Sequence, residues 1–178
     1  MPPLKIFPED LDKSSVRESR VWVKENRRDG CRCPACRQVV AERKRHLHHS
    51  MARALLLIFW YFQRNPGKNW LHVESYLKHL PVSRALRGDF AKLRFWGLIE
   101  KRPGAKDDGN PSSGYYAITA KGKKFVRNEI SVPPYFWMFN GKCRGFAQDE
   151  EEVYIKDVLQ KKFFNYDKLM NNEGLDTG

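Results

Sequence analysis

No apolar run in this chain is long enough to cross a bilayer. The most apolar stretch, SMARALLLIFWYF from Ser50 to Phe62, stops at Gln63-Arg64-Asn65-Pro66-Gly67, short of the roughly 20 residues that a span requires. Nor does an apolar leader follow Met1-Pro2-Pro3-Leu4-Lys5, which runs into Glu9-Asp10. The reading is a cytoplasmic protein whose four cysteines are reduced, with no membrane partner. Also missing are a glycine loop to cradle phosphates, a nucleophile motif, and paired carboxylates near a histidine, which argues against an enzyme. Acids are scarce, 21 against 33 lysines and arginines, for a net charge of +12. So basic a chain is drawn to polyanions, of which nucleic acid is the commonest. With 41% hydrophobic and 13% aromatic residues it can still bury a core.

Ser50–Phe62 is apolar nearly all round, with Arg53 its one charge. A helix without a polar face belongs in an interior, so the pattern predicts a buried central helix with Ser50 as N-cap. Upstream, Ser15 and Glu18 have capping-box spacing, predicting a helix from about Val16 to Asn26 with Val16, Val23 and Trp22 turned inward. Then comes Cys31-Arg32-Cys33-Pro34-Ala35-Cys36. A Cys-Pro-x-Cys turn puts two sulfurs on one side, the shape of a zinc knuckle. Cys31 is a third candidate ligand, and His46, His48, His49 or the distant Cys143 could close the set. Four protein ligands would make the zinc structural, and no carboxylate is placed to act as a base beside a zinc-bound water. The alternative is a metal-free turn with free thiols.

Downstream, Trp70–Val73 reads as a short strand and Glu74–Leu80 as a short helix. Pro81-Val82 makes a turn, and Ser83 caps a helix running to about Trp96. On a wheel Leu86, Phe90, Leu93 and Gly97 form one stripe, while Arg84, Arg87, Ala91, Arg94 and Phe95 lie opposite, flanked by Lys92. A basic helical face after a tight turn is what the major groove accepts. There follow Gly97-Leu98-Ile99-Glu100-Lys101-Arg102, a polar loop from Pro103 to Gly114, a strand Tyr115–Thr119, and a helix opening at Ala120-Lys121-Gly122. The phrases Gly-Leu-Ile-plus-charges and Tyr-x-Ile-Thr-x-x-Gly resemble the winged helix-turn-helix family, in particular regulators of the MarR and PadR type, over about Ser50 to Asn128. The resemblance implies a recognition helix in Ser83–Trp96 and a wing over Lys101–Tyr115. The wing tip Asp107-Asp108-Gly109-Asn110 is acidic, which restricts wing contacts to Lys101, Arg102 and Lys106.

Tyr135–Phe139, Asn140-Gly141 and Lys142–Phe146 predict a hairpin with a type I′ turn. Tyr135, Trp137 and Phe139 fall on one face, Phe136 and Met138 on the other, so both faces need cover. Asp149-Glu150-Glu151-Glu152 leads into a helix from Val153 to Phe164. The expected architecture is α+β: residues 1–49 an N-terminal helix and zinc-knuckle segment, 50–129 a winged helix-turn-helix core, 130–170 a C-terminal β-hairpin plus helix, and 171–178 a disordered tail. The expected function is sequence-dependent binding of double-stranded DNA by a small transcriptional regulator, similar in make-up to phage or mobile-element proteins. Arg27, Arg28, Arg32, Arg43, Lys44 and Arg45 would neutralise phosphates, and Arg84, Arg87, Lys92 and Arg94 would face the groove. The rival is an adaptor or inhibitor that grips a partner protein, or a second copy, through the 135–146 hairpin and the cysteine segment. A third class, an RNA binder, would stack bases on Phe95 and Trp137.

Overall fold

Local chemistry starts several of the helices of this α+β chain. The computed structural model describes residues 4–6, 15–80, 89–104, 114–160 and 165–171. These fall into two compact units, one built from Met1–His46 and Tyr135–Ala147, the other from Leu47–Pro134 and Gln148–Gly178. The aromatic hairpin therefore joins the N-terminal segment, and the chain after it returns to the second unit.

In the first unit, α1 (Val16–Asn26) opens on the expected capping box: Ser15 N–H donates to Glu18 Oε2 at 2.7 Å and Glu18 N–H to Ser15 Oγ at 3.3 Å. Val16 is 61% exposed, so it does not turn inward; Ser19 is the buried residue of this helix. β1 (Cys31–Arg32) and β2 (Val39–Val40) pair antiparallel around the cysteine turn. β3 (Arg43–His46) then lies against β7 (Tyr135–Phe139), which pairs with β8 (Lys142–Phe146), giving the order β3-β7-β8. Asn140 and Gly141 take φ of 49° and 72°, the two positive values that a type I′ turn needs. A bulge follows, because Trp137 faces Gly145 while Met138 faces Cys143, leaving Arg144 over.

In the second unit α2 (His49–Arg64) is the buried axis, with Ser50–Ala52 and Ala54–Phe59 out of water. It begins one residue earlier than Ser50: His48 is the N-cap, and Ser50 lies inside the helix, buried. β4 (Leu71–His72) leads into α3 (Val73–Lys78), where the His72 ring caps the helix by accepting from Ser75 N–H at 3.2 Å. A 3₁₀ helix occupies Phe90–Trp96, so at least this part of the expected 83–96 helix is wound more tightly than α. At three residues per turn, side chains three apart eclipse one another. Phe90, Leu93 and Trp96 accordingly share the inward face, all buried, with the Trp96 indole N–H donating to Pro133 O at 2.7 Å. The turn ends at Gly97, in the left-handed region at φ 70°, a conformation that suits glycine.

β5 (Ile99–Lys101) and β6 (Tyr115–Ile118) complete a sheet of order β4-β6-β5. α4 (Ala120–Val126) is capped by Thr119, whose Oγ1 accepts from Gly122 N–H at 2.9 Å and donates to Gly97 O at 2.6 Å. α5 (Ile155–Gln160) starts later than Val153, which instead bridges to Val132, and α6 (Tyr166–Met170) follows. Residues 161–164 and 172–178, the expected helix end and tail, lie outside the described residues. Among the described residues no helix is long and apolar enough to cross a membrane.

Candidate functional site

Two groups of basic side chains stand out, one in each unit. In the second unit, Gly97, Thr119 and Gly122 form a clamp that fixes where β5 leaves the 3₁₀ helix and where α4 begins. A methyl added at Gly122 would fall inside Leu98 O, so only glycine lets α4 lie so close to the start of β5. The clamp holds the two strands that flank residues 102–114. Lys101 and Arg102 are exposed at the end of β5, with Arg102 Cζ 5.8 Å from the Tyr115 ring. Arg94 is exposed and sits 4.9 Å from the Phe95 ring. Lys92 is half-buried and ion-paired to Asp89. Arg84, Arg87 and Lys106 lie outside the described residues. In the 3₁₀ turn Ala91 and Arg94 share one ridge and Lys92 and Phe95 the next, so the basic arc drawn on an α wheel is divided here between two faces.

The first unit is the more basic: its two segments carry fourteen lysines and arginines against seven acids. β3 is RKRH, and pleating sends its side chains to opposite faces. Lys44 faces Trp137 and His46 faces Tyr135, the His46 and Tyr135 rings 5.1 Å apart. Lys44 Nζ lies 4.2 Å from the Tyr135 ring and 5.4 Å from Trp137. Arg28 Cζ is 5.6 Å from Trp137, and Arg27 and Arg144 Cζ are 4.9 and 5.6 Å from Phe139. Arg27 also pairs with Glu42 at 2.8 Å. Arg43 and Arg45, on the other face, line a groove of about 410 Å³ with Val39, Val40, Met138 and Asn140, which Phe139 also borders. There Arg45 Nε lies out of water and meets no acceptor among the described residues.

The cysteine turn is well formed locally. Cys33 N–H donates to Gln38 O at 2.9 Å, Arg37 N–H to Cys33 O at 2.7 Å, and Arg37 takes a positive φ of 58°. Burial alone would raise the Cys33 thiol, but the N–H groups of Cys36 and Ala35 and the Cys36 thiol donate to its sulfur and bring it below the ordinary range. Burial, and then Cys33 nearby, push Cys31 up. Cys143 lies on β8 with its sulfur 4.0 Å from Gly145 O, and His48 and His49 belong to the start of α2 in the other unit. Among the described residues no three histidine, cysteine or acidic side chains gather as a metal would require.

Composition and spacing point to Arg43, Lys44 and Arg45 as phosphate contacts but not to a strand. The ring-and-cation face depends on β3 pairing with β7, for which the RKRH stretch carries no apolar alternation to serve as a signal. Comparison of the chain with models of protein families, with characterised proteins and with solved structures found no match.

Proposed function

We propose that the protein binds duplex DNA through a winged-helix domain over about residues 50–129, acting as a small transcriptional regulator. The observation that carries this reading is the sheet order β4-β6-β5, in which β4 lies between α2 and α3 in the chain and β5 and β6 follow them, with the Gly97–Thr119–Gly122 clamp joining β5 and β6. That topology supports a helix-turn-helix placed at residues 73–96 and a wing between β5 and β6. Arg94, Lys101 and Arg102, all exposed, would neutralise phosphates together with Arg84 and Arg87, while base readout would come from the arginines of the 83–96 segment. Lys92 contributes less, because Asp89 already pairs its ammonium.

Salt tests the reading. Affinity for duplex should fall linearly in log K against log salt, by about 0.9 per phosphate contact. Replacing Arg94, Lys101 and Arg102 together by alanine should flatten that slope by about 3. A duplex affinity that is insensitive to salt, or unchanged in the triple variant, overturns it.

The same reading includes a structural zinc at the cysteine turn. Support is confined to Cys33, whose sulfur accepts from the N–H groups of Cys36 and Ala35, bonds of the kind that orient a metal-bound thiolate; Cys36 is the second donor of the same turn. Cys31, His46 and Cys143 are the remaining donors of the same unit. A second reading, docking of a partner protein, is favoured by one feature: Val21 lies exposed on α1 beside Trp22, whose indole N–H is buried without an acceptor among the described residues.

A further inference from the structure

We propose that the first unit carries a second nucleic-acid surface, the β3-β7-β8 sheet face bearing Tyr135, Trp137 and Phe139, and that its occupant is single-stranded nucleic acid whose unpaired bases stack on Trp137 and Phe139. The inference is independent of the winged-helix reading. Three rings at alternate positions of one strand share a face, and the T-shaped Tyr135–Trp137 contact, 6.0 Å between centroids, agrees with that. Tyr135 is buried; Trp137 and Phe139 are half-buried and form the accessible part. Around them stand Arg28, Lys44 and Arg144, all exposed, each within cation–π distance of a ring. Arg28 and Arg144 have no ion-pairing acid among the described residues.

Rings interleaved with cations suit a ligand that is at once planar and anionic at short intervals. Nucleic acid meets both conditions. The spacing selects single strands: bases stacked in a duplex rise about 3.4 Å per step, whereas alternate residues of a strand stand roughly 6.7 Å apart. Successive bases can reach successive rings only when they are unstacked from one another. An exposed cation over a ring is held weakly, and a base on the same ring is held more tightly. Arg28 and Arg144 can therefore swing from ring to phosphate as bases arrive, or offer a guanidinium plane as a further stacking surface.

The test is fluorescence anisotropy of the full chain with a labelled oligothymidine of fifteen nucleotides, beside a duplex of equal length and with heparin as a polyanion lacking bases. Trp137→Ala should weaken oligothymidine binding at least about fivefold, while Trp137→Phe should restore most of it. Because Trp137→Ala could disturb the sheet, a double variant Arg28→Gln with Lys44→Gln is measured in parallel. It should lower the salt slope for oligothymidine by about 1.4. The proposal is overturned if wild type does not bind oligothymidine at low salt, or if Trp137→Ala and the double variant bind it like wild type. It is equally overturned if heparin and oligothymidine respond identically to every variant, since charge alone would then account for binding.

Discussion

Gly122→Ala is the sharpest test of how the second unit is held together. The added methyl would overlap Leu98 O and lie 2.9 Å from Ile118 Cγ1 and 3.0 Å from the Leu98 carbonyl carbon. None of these is the free end of a long side chain. Leu98 O is also engaged, accepting from Thr119 N–H and from Thr119 Oγ1, each at 3.2 Å. Relief therefore means moving α4 off β5 and stretching both bonds. Overpacking of this kind costs about 1–3 kcal/mol, and two weakened hydrogen bonds add about 1 kcal/mol each. Alanine returns about 1 kcal/mol of helix propensity, leaving a net loss of about 2–4 kcal/mol. At about 2–4 °C per kcal/mol for a chain of this size, the melting temperature should fall by roughly 5–15 °C. Thermal unfolding followed by circular dichroism reads this directly. Gly67→Ala is the control: nothing lies within 4 Å of its added methyl and its φ is not positive, so that variant should match or slightly exceed wild type. A Gly122→Ala protein within about 0.5 kcal/mol of wild type would falsify the clamp.

Thr119→Val keeps the shape but removes the cap to Gly122 N–H and the bond to Gly97 O; it should cost about 1–2 kcal/mol, read as a shift of the urea midpoint. Tyr166 donates to Val126 O at 2.8 Å, and burial, followed by Asp167 and Glu129, raises its phenol above the ordinary value near 10. A raised folded value means that this contribution is complete below about pH 10 and is lost as pH climbs toward the folded value. Tyr166→Phe should therefore show a shallower alkaline decline in stability, while Tyr76, also raised by burial, keeps its own share. If the cysteine turn anchors a structural zinc, elemental analysis should return about one zinc per chain for wild type and none for Cys33→Ser; metal-free wild type removes that part of the proposal.

Elements governed by neighbours in sequence were legible. Ser15 and Glu18 announced α1, and Asn140-Gly141 announced the turn between β7 and β8, because capping and I′ geometry are settled within four residues. Gly-Leu-Ile and Ile-Thr-x-x-Gly were legible as phrases, but their physical reason, one threonine tying Gly97 to Gly122, needed coordinates. Burial of α2 followed from its composition. Its first residue did not, since no side chain of His48 makes a cap bond and Ser50 is drawn into the core. The winding of Phe90–Trp96 escaped a wheel drawn at 3.6 residues per turn, because Leu93 fits either period and only Trp96 betrays the tighter one. β3 was least legible: RKRH carries only charge and an imidazole, and its extended state is imposed by β7, far away in sequence.

That distant pairing makes the first unit a late arrival during synthesis. β3 leaves the ribosome early, yet its partner β7 emerges only after the whole 47–134 segment has been made. Until then the RKRH strand has no ladder to join, and closing so long a loop is entropically unfavourable unless the intervening segment has already folded and brought its ends together. A chain interrupted before Tyr135 would therefore keep the arginines of β3 but not the sheet that arranges them.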